Sequence, residues 1–165
     1  MDSVVAWDVA LARFRDGLTE PPRLAGGADR REALVQSFVA AVERRDSLAL
    51  RKLMITRAEF AYHYYPTAPE AHAPYDLTPA LLWFMLEQGS LKGIRRVQQD
   101  LGGTPLGYAG HRCDAPPSHQ GDNRVWGPCV ILRVHSAGDT VAQRLFGSIL
   151  ERNGRFKFIS YSNDR

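Results

Sequence analysis

The spacing of apolar residues changes once along the chain. Up to about residue 102 they recur every three or four positions, and beyond it they alternate. Leu34, Val35, Phe38, Val39 and Val42 form one helical stripe, and Asp29 followed by Glu32 has the form of a capping box in front of it. Asp46 or Ser47 starts a second short helix with Leu48, Leu50, Leu53 and Met54, and Thr56 with Glu59 offers a third start. Thr78-Pro79 opens the longest helix, because Thr caps and Pro needs no amide donor at the first position. Leu82, Met85, Leu86, Gly89, Gly93 and Val97 are its expected buried side, and Gly102-Gly103 its stop. Its two internal glycines permit close approach to a sheet. Ahead of these helices, Val5, Val9 and Ala12, with Trp7, Leu11 and Phe14 at the other edge, predict a short amphipathic arm. "TEPPRLAGGAD" breaks that arm with Pro-Pro and Gly-Gly.

After Gly103 the period is two. "LGYAGHRC", "WGPCVILRVH", "TVAQRLFGSILE" and "RFKFISY" read as four antiparallel strands, with "SAGD" and "RNGR" as the last two turns. Placing His135 opposite Thr140 and Arg152 opposite Arg155 separates two faces. Val130, Leu132, Val134, Val141, Leu145, Ile149, Phe156 and Phe158 make the dry one, with Gln143 and Glu151 interrupting it. Ile131, Arg133, His135, Arg144, Phe146, Ser148, Leu150, Lys157 and Tyr161 make a mixed outer face, expected to be covered by the N-terminal arm or a second subunit. The fold class is therefore α+β: N-terminal helices and one long helix packed on a curved C-terminal antiparallel sheet of about four strands. Residues 1–28 read as arm and linker, and residues 29–165 as a single domain.

A chain of 165 residues with 24% charged residues fits one globular domain. Its net charge is +3, and its arginines are scattered among acids, which argues against a nucleic-acid interface. No apolar run is long enough for a membrane span. "MDSVVAWDVALARFRDG" lacks the basic start and apolar block of an export signal, as would a chain whose signal had been removed. Cys113 and Cys129 flank a loop rich in Pro, Gly, Asp and Asn. They read as a disulfide, which implies an exported or periplasmic protein, or as two free buried thiols, which leaves the cytoplasm open. A third reading makes His111, Cys113, His119 and Cys129 zinc ligands, although the spacing matches no zinc finger.

Four of the six tyrosines fall in "EFAYHYYPTAPEAHAPYDL", residues 59–77. A tyrosine combines an apolar body with a hydroxyl, which suits a pocket wall and a core margin alike. Tyr62, Tyr65 and Trp83, joined by Gln143 from the sheet, are the candidate pocket. Burying the Gln143 amide demands a hydrogen-bond partner or a wet cavity. His63 and Asp76 are the candidate bases, since imidazole titrates near neutrality. Glu59 and Asp76 are possible partners of His63. Neither a P-loop, a dinucleotide-binding turn, a nucleophile elbow nor a His-Glu-x-x-His helix is present, so no cofactor is implied.

"REALVQSFVAAVERRDSLALRKLM" and "TVAQRLFGSILERNGRFKFISYSND" resemble the opening helix pair and the closing hairpin of the nuclear transport factor 2-like superfamily, which includes ketosteroid isomerase-like and limonene epoxide hydrolase-like proteins. The resemblance implies a sheet curled into a cone with a pocket at its open end. It transfers no catalytic residue, and the Pro-rich stretch between residues 66 and 79 departs from it. The expected function is a binding or interaction domain for a mostly apolar small molecule. The alternatives are a cofactor-free isomerase or hydrolase with His63 or Asp76 as base and a tyrosine donor, and an exported domain that binds a protein or forms a homodimer through its outer sheet face.

Overall fold

The computed structural model describes residues 6–135 and 137–163. It is α+β, with the helices first and the antiparallel strands last. Helix α1 spans Trp7–Arg15, α2 Arg31–Glu43, α3 Ser47–Lys52, α4 Arg57–Glu59 and α5 Pro79–Leu101. A π-helical turn, Phe60–Tyr64, and two 3-10 turns, Tyr65–Thr67 and Pro69–Ala71, continue α4. The strands are β1 (Tyr108–Cys113), β2 (Ser118–Gln120), β3 (Asn123–Trp126), β4 (Cys129–Val134), β5 (Thr140–Gln143), β6 (Ile149–Arg152) and β7 (Arg155–Phe158).

Three of the expected helix starts form as read. Asp46 accepts the Ala49 amide at 3.0 Å, Thr56 and Glu59 complete a reciprocal capping box, and Thr78 accepts the Leu81 amide at 3.3 Å. The Asp29–Glu32 box does not form. Arg30 is the cap of α2, and Glu32 turns instead toward His111 and Tyr108. In α1, Leu11 and Phe14 are buried, whereas Val9 and Ala12 face solvent; Val5 lies outside the described residues. In α5 the buried side is Leu82, Trp83, Ser90, Gly93, Ile94 and Val97, and Met85 is 51% exposed. The expected stripe had its phase wrong near the start of the helix, where Trp83 packs inward against Phe60. Gly93 does permit a close approach. A Cβ there would overlap the Tyr161 carbonyl, just beyond the last strand.

The strands form two antiparallel sheets, β1-β4-β5 and β2-β3-β6-β7. Their pairings reveal one meander. β1 pairs β4 and β2 pairs β3; β4 pairs β5 and β3 pairs β6; β6 pairs β7. Joined end to end, β1–β2, β3–β4 and β5–β6 are long strands broken once each, and β7 is the fourth. The breaks fall at residues 114–117, at Gly127-Pro128 and at residues 144–148. Pro128 has no amide for a ladder, which explains the second of them. The free edge of β7 is covered rather than left open. Ala28 exchanges two backbone hydrogen bonds with Phe156, and Leu53 and Ile55 make one each with Phe158.

Arg152 pairs with Arg155 as expected, and Asn153 and Gly154 take the positive φ values of a tight hairpin. The other hairpin is one residue out of the expected register, with Thr140 opposite Val134 rather than His135. A one-residue slip exchanges the faces of the paired strand. Ile131 is fully buried and Val134 is 44% exposed, the reverse of their expected positions. Gln143, with Val141 on the same face, lies opposite Ile131 rather than Leu132. Of the expected outer face, Phe146, Leu150, Lys157 and Tyr161 are buried within the protein, whereas Arg133, Arg144 and Ser148 are half-buried and His135 is exposed.

These burials reflect a sheet with a core on each side. One cluster fills the space around α2, where Phe38 meets the rings of Phe146, Phe158 and Tyr161 at 5.3–5.6 Å. The other gathers Leu11 and Phe14 of α1, the tyrosine segment, Leu82 and Trp83 against Leu150 and Ile159. The helix at the centre of the first cluster is α2, not the long α5.

Candidate functional site

Glu59 is the last residue of α4, and Pro66, lacking an amide hydrogen, cannot continue a helix ladder. Between them the chain widens into the π turn, which places Phe60, His63, Tyr64 and Tyr65 inward. The hydroxyls are tied to nearby acceptors. Tyr65 donates to the Leu77 carbonyl at 2.7 Å, Tyr62 to the Leu18 carbonyl at 3.4 Å and Tyr64 to Glu70 at 3.4 Å. Burial and the Glu70 charge push the Tyr64 hydroxyl pKa well up, so it stays a donor. Arg15 covers the Tyr62 ring at 4.3 Å, and Trp7 stacks on Tyr65.

The candidate bases are engaged elsewhere or exposed. His63 Nε2 lies 2.6 Å from the Pro21 carbonyl, which makes it the protonated nitrogen, and its Nδ1 is buried without a partner among the described residues. Glu59 does not face His63. It pairs with Lys157 at 2.8 Å and accepts the Thr56 and Ala25 amides at 2.8 Å each. Asp76 is exposed, in a left-handed backbone conformation. Gln143 is on β5, away from the tyrosine cluster, and its carbonyl oxygen accepts from Arg133 at 2.5 Å. Tyr62, Tyr65 and Trp83 share one core cluster, and Gln143 does not join them.

Cys113 and Cys129 sit directly opposite each other on β1 and β4 and are bridged. Both sulfurs are thus consumed, which removes the zinc reading of His111, Cys113, His119 and Cys129. No group of three His, Cys, Asp or Glu side chains converges among the described residues.

Two arrangements carry chemistry that the sequence did not single out. The first is a polar knot between α2 and β1. His111 Nδ1 lies 2.9 Å from Glu32 Oε2, without the alignment of a full hydrogen bond. Arg31 Nε donates to His111 Nε2 at 2.9 Å, and Tyr108 donates to Glu32 Oε1 at 2.7 Å. An arginine can only donate, so Nε2 is the acceptor and the imidazole proton sits on Nδ1. Burial, then the Arg31 charge, hold the His111 pKa below its ordinary value, against the pull of Glu32. Burial and Glu32 push Tyr108 up. The sequence offers His111 only as a zinc ligand, because its partners lie about 80 positions away.

The second is a cleft of about 250 Å³ between α5 and the segment joining α3 to α4. Trp83, Glu87, Ser90, Leu91 and Ile94 recur at helical spacing along one of its walls. Met54, Ile55 and Thr56 form the other, flanked by Arg51 and Arg57. Ser90 accepts the Tyr161 amide at 3.1 Å and pins the floor to the end of the sheet. A second groove of about 360 Å³ shares Arg51, Leu91 and Ile94 and continues to Arg45, Ser47 and Arg95. Trp83 is the one candidate pocket residue on this cleft.

Among the described residues no helix is long and apolar enough to cross a membrane. No family model matches this chain, and no curated protein or solved structure matches it either.

Proposed function

We propose that this protein is a small-molecule-binding domain of the nuclear transport factor 2-like kind, with its ligand in the α3–α5 cleft. The likeness of kind is supported by the order of helices followed by a bent antiparallel meander around α2. The space that such folds keep open is here occupied by Phe38, Phe146, Phe158 and Tyr161, which moves the binding site outward. The observation that carries the reading is the lining of the cleft: an aromatic and aliphatic wall with few, convergent polar groups, as ligand sites have. Binding is favoured over catalysis because the histidines of the tyrosine segment and of the polar knot are outside that lining. The Cys113–Cys129 bridge supports folding in an oxidising compartment, hence an exported protein.

A neutral solvatochromic dye such as Nile red tests the reading. The protein should shift its emission to the blue, and Leu91→Asp, on the exposed wall of the cleft, should weaken binding about tenfold or more with an unchanged circular dichroism spectrum. Emission from the wild type that matches the dye in water would overturn it.

A further inference from the structure

We infer that the α3–α5 cleft selects an amphipathic anion, with an acidic headgroup on the guanidinium groups at its rim and an apolar chain over Trp83 and Ile94. This inference rests on the cleft being the binding site, as proposed above.

Floor and rim differ in chemistry. Across the cleft and its continuation the lining holds four arginines, Arg45, Arg51, Arg57 and Arg95, and one carboxylate residue, Glu87. The whole chain carries 21 basic against 18 acidic residues, so four to one is a local excess and not the average of the surface. The excess is also unspent. The side chains of Arg51, Arg57 and Arg95 make no hydrogen bond or ion pair among the described residues. Arg45 uses one N–H, on the Gly102 carbonyl at 3.1 Å. Arg57 lies over the Phe14 ring at 4.2 Å. Stacking of this kind restrains a guanidinium through its flat face and leaves the in-plane donors free for a carboxylate, sulfonate or phosphate oxygen.

The apolar side limits the ligand in turn. Trp83, Met54, Ile55 and Ile94 offer no charged group, so a fully polar anion would leave them unused. A volume near 250 Å³ suits a short chain or a single ring system. A cationic amphiphile would meet the arginines with the wrong sign, and a neutral one would gain nothing from them.

The test compares decanoate, decanol and decylamine on the full chain by titration calorimetry at low and high salt. Decanoate should bind about tenfold or more tightly than decanol, and decylamine least. High salt should weaken decanoate and leave decanol unchanged. In Arg51→Gln/Arg95→Gln, which spares the stacked Arg57, the preference should shrink to about threefold or less while decanol binding persists. Equal affinities for decanoate and decanol would overturn the inference and leave the cleft as an apolar site. Absence of binding by all three would overturn both.

Discussion

Glu59 and Lys157 meet at 2.8 Å with each side chain 2% exposed, whereas Glu32 and His111 meet at 2.9 Å with the carboxylate 42% exposed. The distances are alike and the consequences are not. Glu59 takes two backbone amides besides the ammonium, and its neighbours tie three parts of the chain together: the linker at Ala25, the start of α4 at Thr56 and the strand β7. Glu32 shares its charge with water, a tyrosine hydroxyl and an imidazole that can give up its place. Charge separation at equal range therefore says little about what a pair does. The supply of other donors and the access of water decide it.

The comparison is broken most directly at Lys157. Lys157→Met leaves the Glu59 carboxylate buried with two amides and no counter-ion, and should cost about 3–5 kcal/mol. Glu59→Gln in the same chain removes the stranded charge and should recover more than half of that loss. Urea unfolding of the two variants measures both steps. A single-variant loss of less than about 1 kcal/mol would mean that water reaches this pair as it reaches the other.

The bridge sharpens the contrast, because it adjoins only one of the pairs. Cys113 follows His111 by two positions on β1, so reduction should loosen the strand that presents the imidazole. The closed loop, with a sequence separation of 16, should contribute about 3 kcal/mol. Hydrogen exchange under reducing conditions should speed up at His111 and Arg112 and keep its slow rates at Lys157 and Phe158. Equal acceleration at both places would show that the two halves of the meander open together.

The two pairs also show what the sequence could disclose. Asp29–Glu32 and Thr56–Glu59 present the same local pattern, three residues apart before an apolar run. Only the second becomes a capping box, because Tyr108 and His111 draw Glu32 away across the fold. A local rule holds until a distant partner competes, and one sequence does not show the competitor. The meander was legible for the same reason in reverse. Alternation and the Asn153-Gly154 turn are local, and the hairpin they specify has the expected register. The longer turn before Thr140 fixes no register, so the slip there misplaced Ile131 and Val134 and gave Gln143 a different partner. Of the candidate site, Trp83 was legible as a large ring early in α5. Arg51 and Arg57 were not, since their convergence depends on how the α3–α4 segment crosses α5. The tyrosines drew attention by number, yet the hydroxyls of Tyr62 and Tyr65 end on backbone carbonyls.

The smallest effect, and the one that tests the exposed pair itself, lies at His111. Burial and Arg31 lower its pKa, and Glu32 opposes them without prevailing. In the unfolded chain the ring takes up its proton near the ordinary value of about 6.5, and in the folded chain only at lower pH. Between those two values the unfolded state holds more protons, so stability falls as pH drops through about 6.5 and goes on falling until the folded pKa is reached. Protonation also places a second positive charge against Arg31 and turns the acceptor Nε2 into a donor, which breaks the 2.9 Å hydrogen bond. His111→Gln removes this titration. At about pH 7.5 the variant should lose about 1 kcal/mol, the worth of one hydrogen bond. At about pH 5.5 the gap between variant and wild type should narrow, because the wild type has begun to lose what the variant never had. A gap that widens on acidification would mean that Glu32 holds the imidazolium in place, and the two pairs would then be alike in kind as well as in distance.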